Sequence, residues 1–502
     1  MGFMRKADFE LYRDADKHYN QVLTTRDFLA LGVGTIISTS IFTLPGQVAA
    51  QFAGPGVVFS YLLAALVAGF VALAYAEMST VMPFAGSAYS WISVLFGEGF
   101  GWIAGWALLA EYFIAVAFVG SGFSANLQQL LAPLGFQLPK VLANPFGTDG
   151  GIVDIISLLV ILLSAIIVFR GASDAGRISQ ILVVLKVAAV IAFIIVGITV
   201  IKPANYHPFI PPHNPKTGFG GFSGIWSGVS MIFLAYIGFD SIAANSAEAK
   251  NPQKTMPRGI IGSLLIAVVL FAAVTLVLVG MHPYSAYAGN AAPVGWALQQ
   301  SGYSVLSEVV TAIALAGMFI ALLGMVLAGS RLLYAFGRDG LLPKGLGKMN
   351  ARNLPANGVW TLAIVAIVIG AFFPFAFLAQ LISAGTLIAF MFVTLGIYSL
   401  RRRQGKDLPE ATYKMPFYPV LPALGFIGSL FVFWGLDVQA KLYSGIWFLI
   451  GIAIYFAYGN RRSRNSEEKK KDIIKNGFKI FWNHFFVIIL ERTKIAKITK
   501  IS

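Results

Sequence analysis

The sequence predicts an all-α integral membrane protein of twelve transmembrane helices, and three observations carry that prediction. The first is composition. Of 502 residues, 57% are hydrophobic and only 12% charged, with a mean hydropathy of +0.75, where a soluble globular chain carries about 25% charged residues. The second is a series of twelve apolar windows of roughly 20 residues, the length that crosses a hydrocarbon core about 30 Å thick. The third is the placement of the basic residues between those windows.

The windows fall at residues 26–46, 56–79, 97–122, 151–170, 178–201, 222–246, 259–281, 305–335, 358–378, 380–400, 417–436 and 442–459. Only Pro374 and Phe375 separate the ninth from the tenth. The first 25 residues hold Arg5, Lys6, Arg13 and Lys17 without the apolar run of a signal peptide, so the first window is expected to remain a span. The chain is therefore divided into an N-terminal segment (1–25), a first block of five spans (26–201), a second block of five (222–400), a final pair (417–459) and a basic tail (460–502). Within the tail, residues 480–490 are apolar but too short to span, and read as an interfacial segment.

With the N-terminus placed inside, 32 of the 37 Lys and Arg residues lie on one side. The other side holds Lys140, Lys202, Lys216 and Lys441, and Lys186 remains inside a span. Basic residues collect on the cytoplasmic side, so both termini are expected to be cytoplasmic in a multi-pass protein of the plasma membrane. The net charge of +15 is thus a mark of topology, and no nucleic acid partner is expected.

Other chemistries are excluded by what the chain lacks. It has no cysteine, hence no disulfide link to a partner subunit and no thiolate nucleophile or metal ligand. His207 and His213 lie six residues apart in a Pro-rich outer loop without further ligands, and read as solvated residues rather than a metal pair. There is no GxxxxGK[ST] loop for a nucleotide. No enzyme activity, metal or cofactor is expected.

The informative positions are the defects in the spans. Residues 26–46, RDFLALGVGTIISTSIFTLPG, place Ser38, Thr39 and Ser40 consecutively at mid-span, after Gly32 and Gly34. The sixth window, which opens the second block of five, contains Gly238 and Asp240 deep within FLAYIGFD (233–240). A membrane helix breaks at depth only where its freed N–H and C=O groups face protein, water or a ligand, and matching breaks in two halves point to a transporter's midplane site. One broken end offers N–H groups to a carboxylate and the other C=O groups to an ammonium, so crossed breaks suit an α-amino acid. The competing reading is that small residues merely let helices approach closely.

At these residues the chain resembles the amino acid–polyamine–organocation (APC) superfamily of permeases, nearest the bacterial relatives of cationic amino acid transporters. The resemblance rests on GVGTIISTSIFTLPG (32–46), AYAEMSTVMPFAGSAYSW (74–91), GWALLAEYFIAVAFVGSGFS (105–124), FLAYIGFDSIAANSAEAKNPQKTMPRGI (233–260) and GSRLLYAFGRDGLLPK (329–344). It implies a LeuT-type five-plus-five inverted repeat with two further C-terminal helices and discontinuous helices 1 and 6. It also implies substrate-binding residues: Ile37, Ser38, Thr39, Ser40 and Ile41 at the first break, and Leu234, Ala235, Tyr236, Ile237 and Gly238 at the second. The chain departs from the family at Ser38 and Ser40, where relatives carry glycine, and at Ala247, before Glu248, where many have paired acids.

Lys186 is the one basic residue well inside a span. An ammonium buried in hydrocarbon is costly and usually faces a functional cavity, while snorkelling to the inner face is the alternative. In relatives that this chain resembles, a lysine here fills the place a sodium ion takes elsewhere in the fold, which implies that Lys186 couples proton movement to uptake. Of the acids, Glu77 reads as the solvated end of span 2. Glu111 reads equally as a hydrogen-bonding support and as a functional charge, and Phe239 and Asp240 as residues that gate or support the second break. Tyr236 and Phe239 would either close over a substrate or simply pack. Arg338, Asp339 and Gly340 read as a structural turn. The expectation is a proton-coupled amino acid transporter working by alternating access, with three competitors: an exchanger, a cationic amino acid transporter and a non-transporting sensor.

Overall fold

The computed structural model describes residues 3–15, 21–84, 86–170, 175–350 and 354–463. The tail segment at 480–490 lies outside them, as do Lys17 and Arg352. Among the described residues all regular structure is helical, with only two isolated bridges, Leu23 with Ala249 and Gln404 with Leu408. The helices are α1 (Phe9–Ala15), α2 (Thr25–Ile36), α3 (Ser40–Val48), α4 (Val57–Val81), α5 (Ala88–Leu95), α6 (Glu98–Leu131), the single turn α7 (Lys140–Ala143), α8 (Ile155–Arg170), α9 (Ala175–Thr199) and α10 (Gly221–Ile232). They continue as α11 (Phe239–Ala244), α12 (Pro252–Met281), α13 (Pro293–Gln300), α14 (Ser304–Arg338), α15 (Ala356–Phe372), α16 (Phe375–Arg403), α17 (Val420–Trp434), α18 (Val438–Ile454) and α19 (Asn460–Arg462).

Eight helical stretches are long and apolar enough to cross a membrane, the first of them, Thr25–Val81, running through two expected spans. Three shorter apolar helices, in α8, α15 and α17, add to them. Their sequences explain the pattern: backbone polar groups in an apolar surrounding must be satisfied within the segment, which a helix does. The central post is α6, whose apolar window is 94% buried, whereas that of α18 is 22% buried and turns its apolar side outward. Close approach fixes α16 against the post, since a Cβ at Gly385 would lie 3.1 Å from the Ala107 carbonyl. On another side, α18 is clamped by reciprocal indole bonds: Trp106 Nε1 donates to Trp447 O (2.8 Å) and Trp447 Nε1 to Trp106 O (3.0 Å).

Two features of the basic face differ from a simple loop surface. The chain before α2 is tied down, with Glu98 N donating to Arg5 O (2.7 Å) and Ala7 N to Ser93 O (3.0 Å). Glu77 is fully buried rather than solvated, which corrects the sequence expectation. Arg401, 324 residues away, grips both its oxygens at 2.5 and 2.8 Å, and Met415 N donates to it at 2.7 Å. Sequence position placed Glu77 at a helix end, but α16 and the segment after it fold over that end. Arg338, Asp339 and Gly340 form a turn, with Gly340 at φ 76° and Asp339 accepting from the Tyr89 hydroxyl at 2.8 Å.

Candidate functional site

The helical ladder of the first span stops at Ile37. Its N–H donates to Val33 O (2.9 Å), and its ψ of 65° then turns the chain out of the helix. Helical structure resumes at Ser40, so Ile37, Ser38 and Thr39 form the break, all buried, while Ser40 and Ile41 begin α3. The hydroxyl residues explain why the ladder fails here, because their side chains compete for backbone acceptors. Ser40 Oγ reaches back to Ile36 O (3.4 Å) and Thr43 Oγ1 donates to Thr39 O (2.9 Å), while Thr39 Oγ1 has no partner. The Ser40 hydroxyl therefore recaps the interrupted turn, a role glycine has no side chain to fill. The first amides of α3 are left without intrahelical acceptors.

In the sixth span, α10 tightens into one 3₁₀ turn, Phe233–Tyr236, and Ile237 is extended (ψ 139°). Gly238 follows at φ 138°, a conformation L residues rarely adopt. Its carbonyl side lies against the end of α2: a Cβ at Gly238 would sit 3.1 Å from both Ile36 N and Thr35 Oγ1. Asp240 Oδ1 accepts the Gly238 N–H (3.0 Å), and Ser241 Oγ donates to Gly238 O (2.5 Å). The structure thus brings the two breaks into direct contact, with Thr35 Oγ1 3.3 Å from Gly238 O. Of the second-break residues, Leu234 and Ala235 are buried and Ile237 is partly exposed. Tyr236 turns to Tyr61 and Phe271 (ring centroids 6.4 and 5.4 Å), and Phe239 to Tyr75 and Phe390 (5.3 and 5.2 Å). Aromatic packing accounts for both rings.

Lys186 lies 3% exposed on α9, and its Nζ donates to Gly34 O at 2.9 Å. Gly34 belongs to the last turn of α2, where carbonyls lack helical partners and the helix dipole favours a cation. Snorkelling is therefore replaced by capping: the ammonium is aimed at the break.

Glu111 and Asp240, 3% and 2% exposed, meet beneath the second break. The two carboxyl groups are close neighbours in an apolar surrounding, where two adjacent negative charges disfavour each other. Thr386 Oγ1 of α16 donates to Glu111 Oε2 (2.7 Å), so this acid joins the central post to the broken helix and to α16. A cleft lined by Leu108, Tyr112, Asp240, Asn245, Arg331 and Arg338 leads from the basic face to this pair. Sequence reading missed Thr35, Ser241 and Thr386 as members of the cluster. Each is a hydroxyl residue in an apolar run, a signal shared with many residues that only bond their own helix.

Two interrupted helices in contact, one capped by a buried ammonium from α9 and the other carrying a buried acid beside Glu111 of α6, in an apolar helical chain, have the character of a membrane transporter. The chain belongs to the amino acid permease family, whose model matches residues 23–458. It is 34% identical over 453 residues to the branched-chain amino acid permease BcaP of Bacillus subtilis, and 36% identical over 449 residues to the methylthioribose transporter of the same organism. Each alignment covers 89% of this chain and 95% of the relative. It is 32% identical to the vacuolar cationic amino acid transporter 4 of Arabidopsis thaliana, over 76% of this chain and 63% of that protein.

Proposed function

We propose that this permease is a proton-coupled secondary transporter that takes up neutral amino acids, with the substrate held at the two breaks. In this reading the amides at Ser38, Thr39, Ser40 and Ile41 take the carboxylate, and the carbonyls from Leu234 to Gly238 take the ammonium. The fold is then the twelve-helix, five-plus-five inverted repeat, with the basic face and both termini on the cytoplasmic side of the plasma membrane. Alternating access follows from a bundle containing both broken helices rocking against the rest. A neutral side chain is favoured because the acids at the breaks are already engaged, Glu111 by the Thr386 hydroxyl and Asp240 by the Gly238 amide. A branched-chain relative supports the same class.

The observation that carries proton coupling is the 2.9 Å bond from Lys186 Nζ to Gly34 O. An ammonium holds that carbonyl more strongly than a neutral amine, so gain and loss of one proton change how firmly α2 is held to α9. The test is uptake into proteoliposomes containing only this protein, under an acid-outside gradient with no amino acid inside. Lys186→Ala is expected to abolish accumulation while leaving solute exchange at zero gradient. Full pH-driven accumulation by that variant would overturn the coupling role, and uptake by the wild type only against internal substrate would make the protein an exchanger. A thermal-shift panel of the twenty amino acids and methylthioribose fixes the substrate. Stabilisation by arginine and lysine alone, or by methylthioribose alone, would overturn the neutral amino acid reading, and binding without flux would make the protein a sensor.

A further inference from the structure

The aliphatic stem of Lys186 reaches Gly34 through a slot whose far wall is a second glycine, Gly317 of α14. The three atoms nearest to a Cβ built at Gly317 all belong to Lys186: the Cβ would overlap Cε and lie 3.1 Å from Nζ and 3.3 Å from Cδ. The space that a side chain at 317 would occupy is therefore filled by the lysine. The backbone of α9 is itself seated against α2, where a Cβ at Gly34 would lie 2.7 Å from Val183 Cγ2, so a side chain at 317 would be met by the lysine turning its own stem rather than by the helix withdrawing. The ammonium is held from one side by the Gly34 carbonyl and its stem from the other by the bare backbone of α14.

We infer that Gly317 is a positioning residue for proton coupling: the absence of its side chain sets the Lys186 ammonium on the Gly34 carbonyl. The inference rests on the coupling role proposed for Lys186. A methyl group at 317 displaces the stem, lifts Nζ from the carbonyl and leaves the last turn of α2 uncapped. No charged group compensates among the described side chains of the packed helices. Asp27 of α2 is taken by Thr24 and Gln180, Arg331 of α14 by Asn245 and Glu248, and Arg338 by Asp339. Glu308 lies near the start of α14, and Lys254 and Arg258 near the start of α12.

The experiment uses the full chain in proteoliposomes with a radiolabelled mixture of the twenty amino acids, comparing wild type, Gly317→Ala, Lys186→Ala and the double variant. Gly317→Ala is expected to lower acid-driven accumulation by roughly tenfold or more, the scale on which a misplacement of about an ångström acts on a positioned group. Exchange at zero gradient is expected to stay near wild type. The double variant should match Lys186→Ala, because the methyl then enters space the lysine has vacated. Wild-type acid-driven accumulation by Gly317→Ala, with Lys186→Ala inactive, overturns the inference and spares the coupling role. Full accumulation by Lys186→Ala overturns the coupling role itself, and the inference with it. A double variant that falls below Lys186→Ala shows that the methyl harms helix packing irrespective of the lysine, and also overturns the inference. If Gly317→Ala fails to fold, recovery of a monodisperse, melting species in the double variant upholds the clash with Lys186, and failure in both overturns it.

Discussion

Two of the places where the molecule buries carboxyl groups give them opposite company. Glu77, on α4, is fully buried and held at both oxygens by Arg401, with the Met415 amide as a further donor. Glu111 and Asp240 are also buried, but the donors on their oxygens are neutral, the Thr386 hydroxyl and the Gly238 amide, and each carboxyl has the other as a neighbour. At the first site the anion is compensated by a cation in place, and the site joins α4 to the C-terminal end of α16. At the second no cation is within bonding reach among the described residues, and two neighbouring carboxyls in an apolar surrounding disfavour a double negative charge. Burial alone therefore does not distinguish a structural acid from one able to exchange a proton; the partner does.

The largest effect that tests this contrast is expected at Arg401. Removing one member of a buried ion pair leaves the other charge uncompensated, at a cost of about 3–5 kcal/mol. Arg401→Ala should lower the melting temperature of the detergent-solubilised protein more than any other change discussed, and adding Glu77→Gln should return part of the loss. If the single variant melted like wild type, the pair would not be the anchor described here.

A smaller effect is expected at the acid pair. In Asp240→Asn the side-chain oxygen still accepts the Gly238 N–H, and the new amide donates to Glu111. The loss should therefore stay within about 1 kcal/mol, the net scale of one exchanged hydrogen bond. Glu77→Gln deletes a charge-assisted pair and should cost more, about 1.5–3 kcal/mol. Chemical denaturation or thermal melting of the two variants side by side gives the ranking. An Asp240→Asn variant less stable than Glu77→Gln would mean that the second site holds a fixed anion after all.

Much of this contrast was outside the reach of the sequence. The two breaks were legible, because three successive hydroxyl residues and a glycine two residues before an acid are poor choices for a lipid-facing helix. Lys186 was legible for the same reason, as a lone cation in an apolar run. The partner of Glu77 was not, since Arg401 sits among three consecutive arginines that read only as an inner-side marker. The meeting of Glu111 with Asp240 depends on how α6 crosses the broken sixth span, which no local spacing encodes. Gly317 was invisible, because a packing glycine and a glycine that makes room for a lysine look alike in a helix rich in small residues. Elements followed from composition; pairings followed from the approach of elements distant in sequence.

The smallest expected effect lies at the basic face, where a further acid, Asp339, offers an intermediate case. It is paired with Arg338 (2.9 Å) yet also accepts from Tyr89 (2.8 Å) and, at 3.4 Å, from Tyr12. Burial, and then the negative charge of Asp339, raise the Tyr12 hydroxyl well above the ordinary tyrosine range, and burial followed by Asp339 does the same for Tyr89. A folded-state value above the unfolded one means that the folded protein keeps a proton which the unfolded chain releases once the pH passes about 10, the ordinary tyrosine value. The stabilising contribution is thus complete below that pH and is lost as the pH rises beyond it. Tyr12→Phe removes one long hydrogen bond and one of these two protons. Near neutrality its melting temperature should fall only slightly, by less than about 1 kcal/mol in stability. Above about pH 10 its stability should decline less steeply than that of the wild type. Equal slopes in an alkaline melting series would show that Tyr12 reaches solvent, and that residues 3–15 are not held against the Asp339 turn as described.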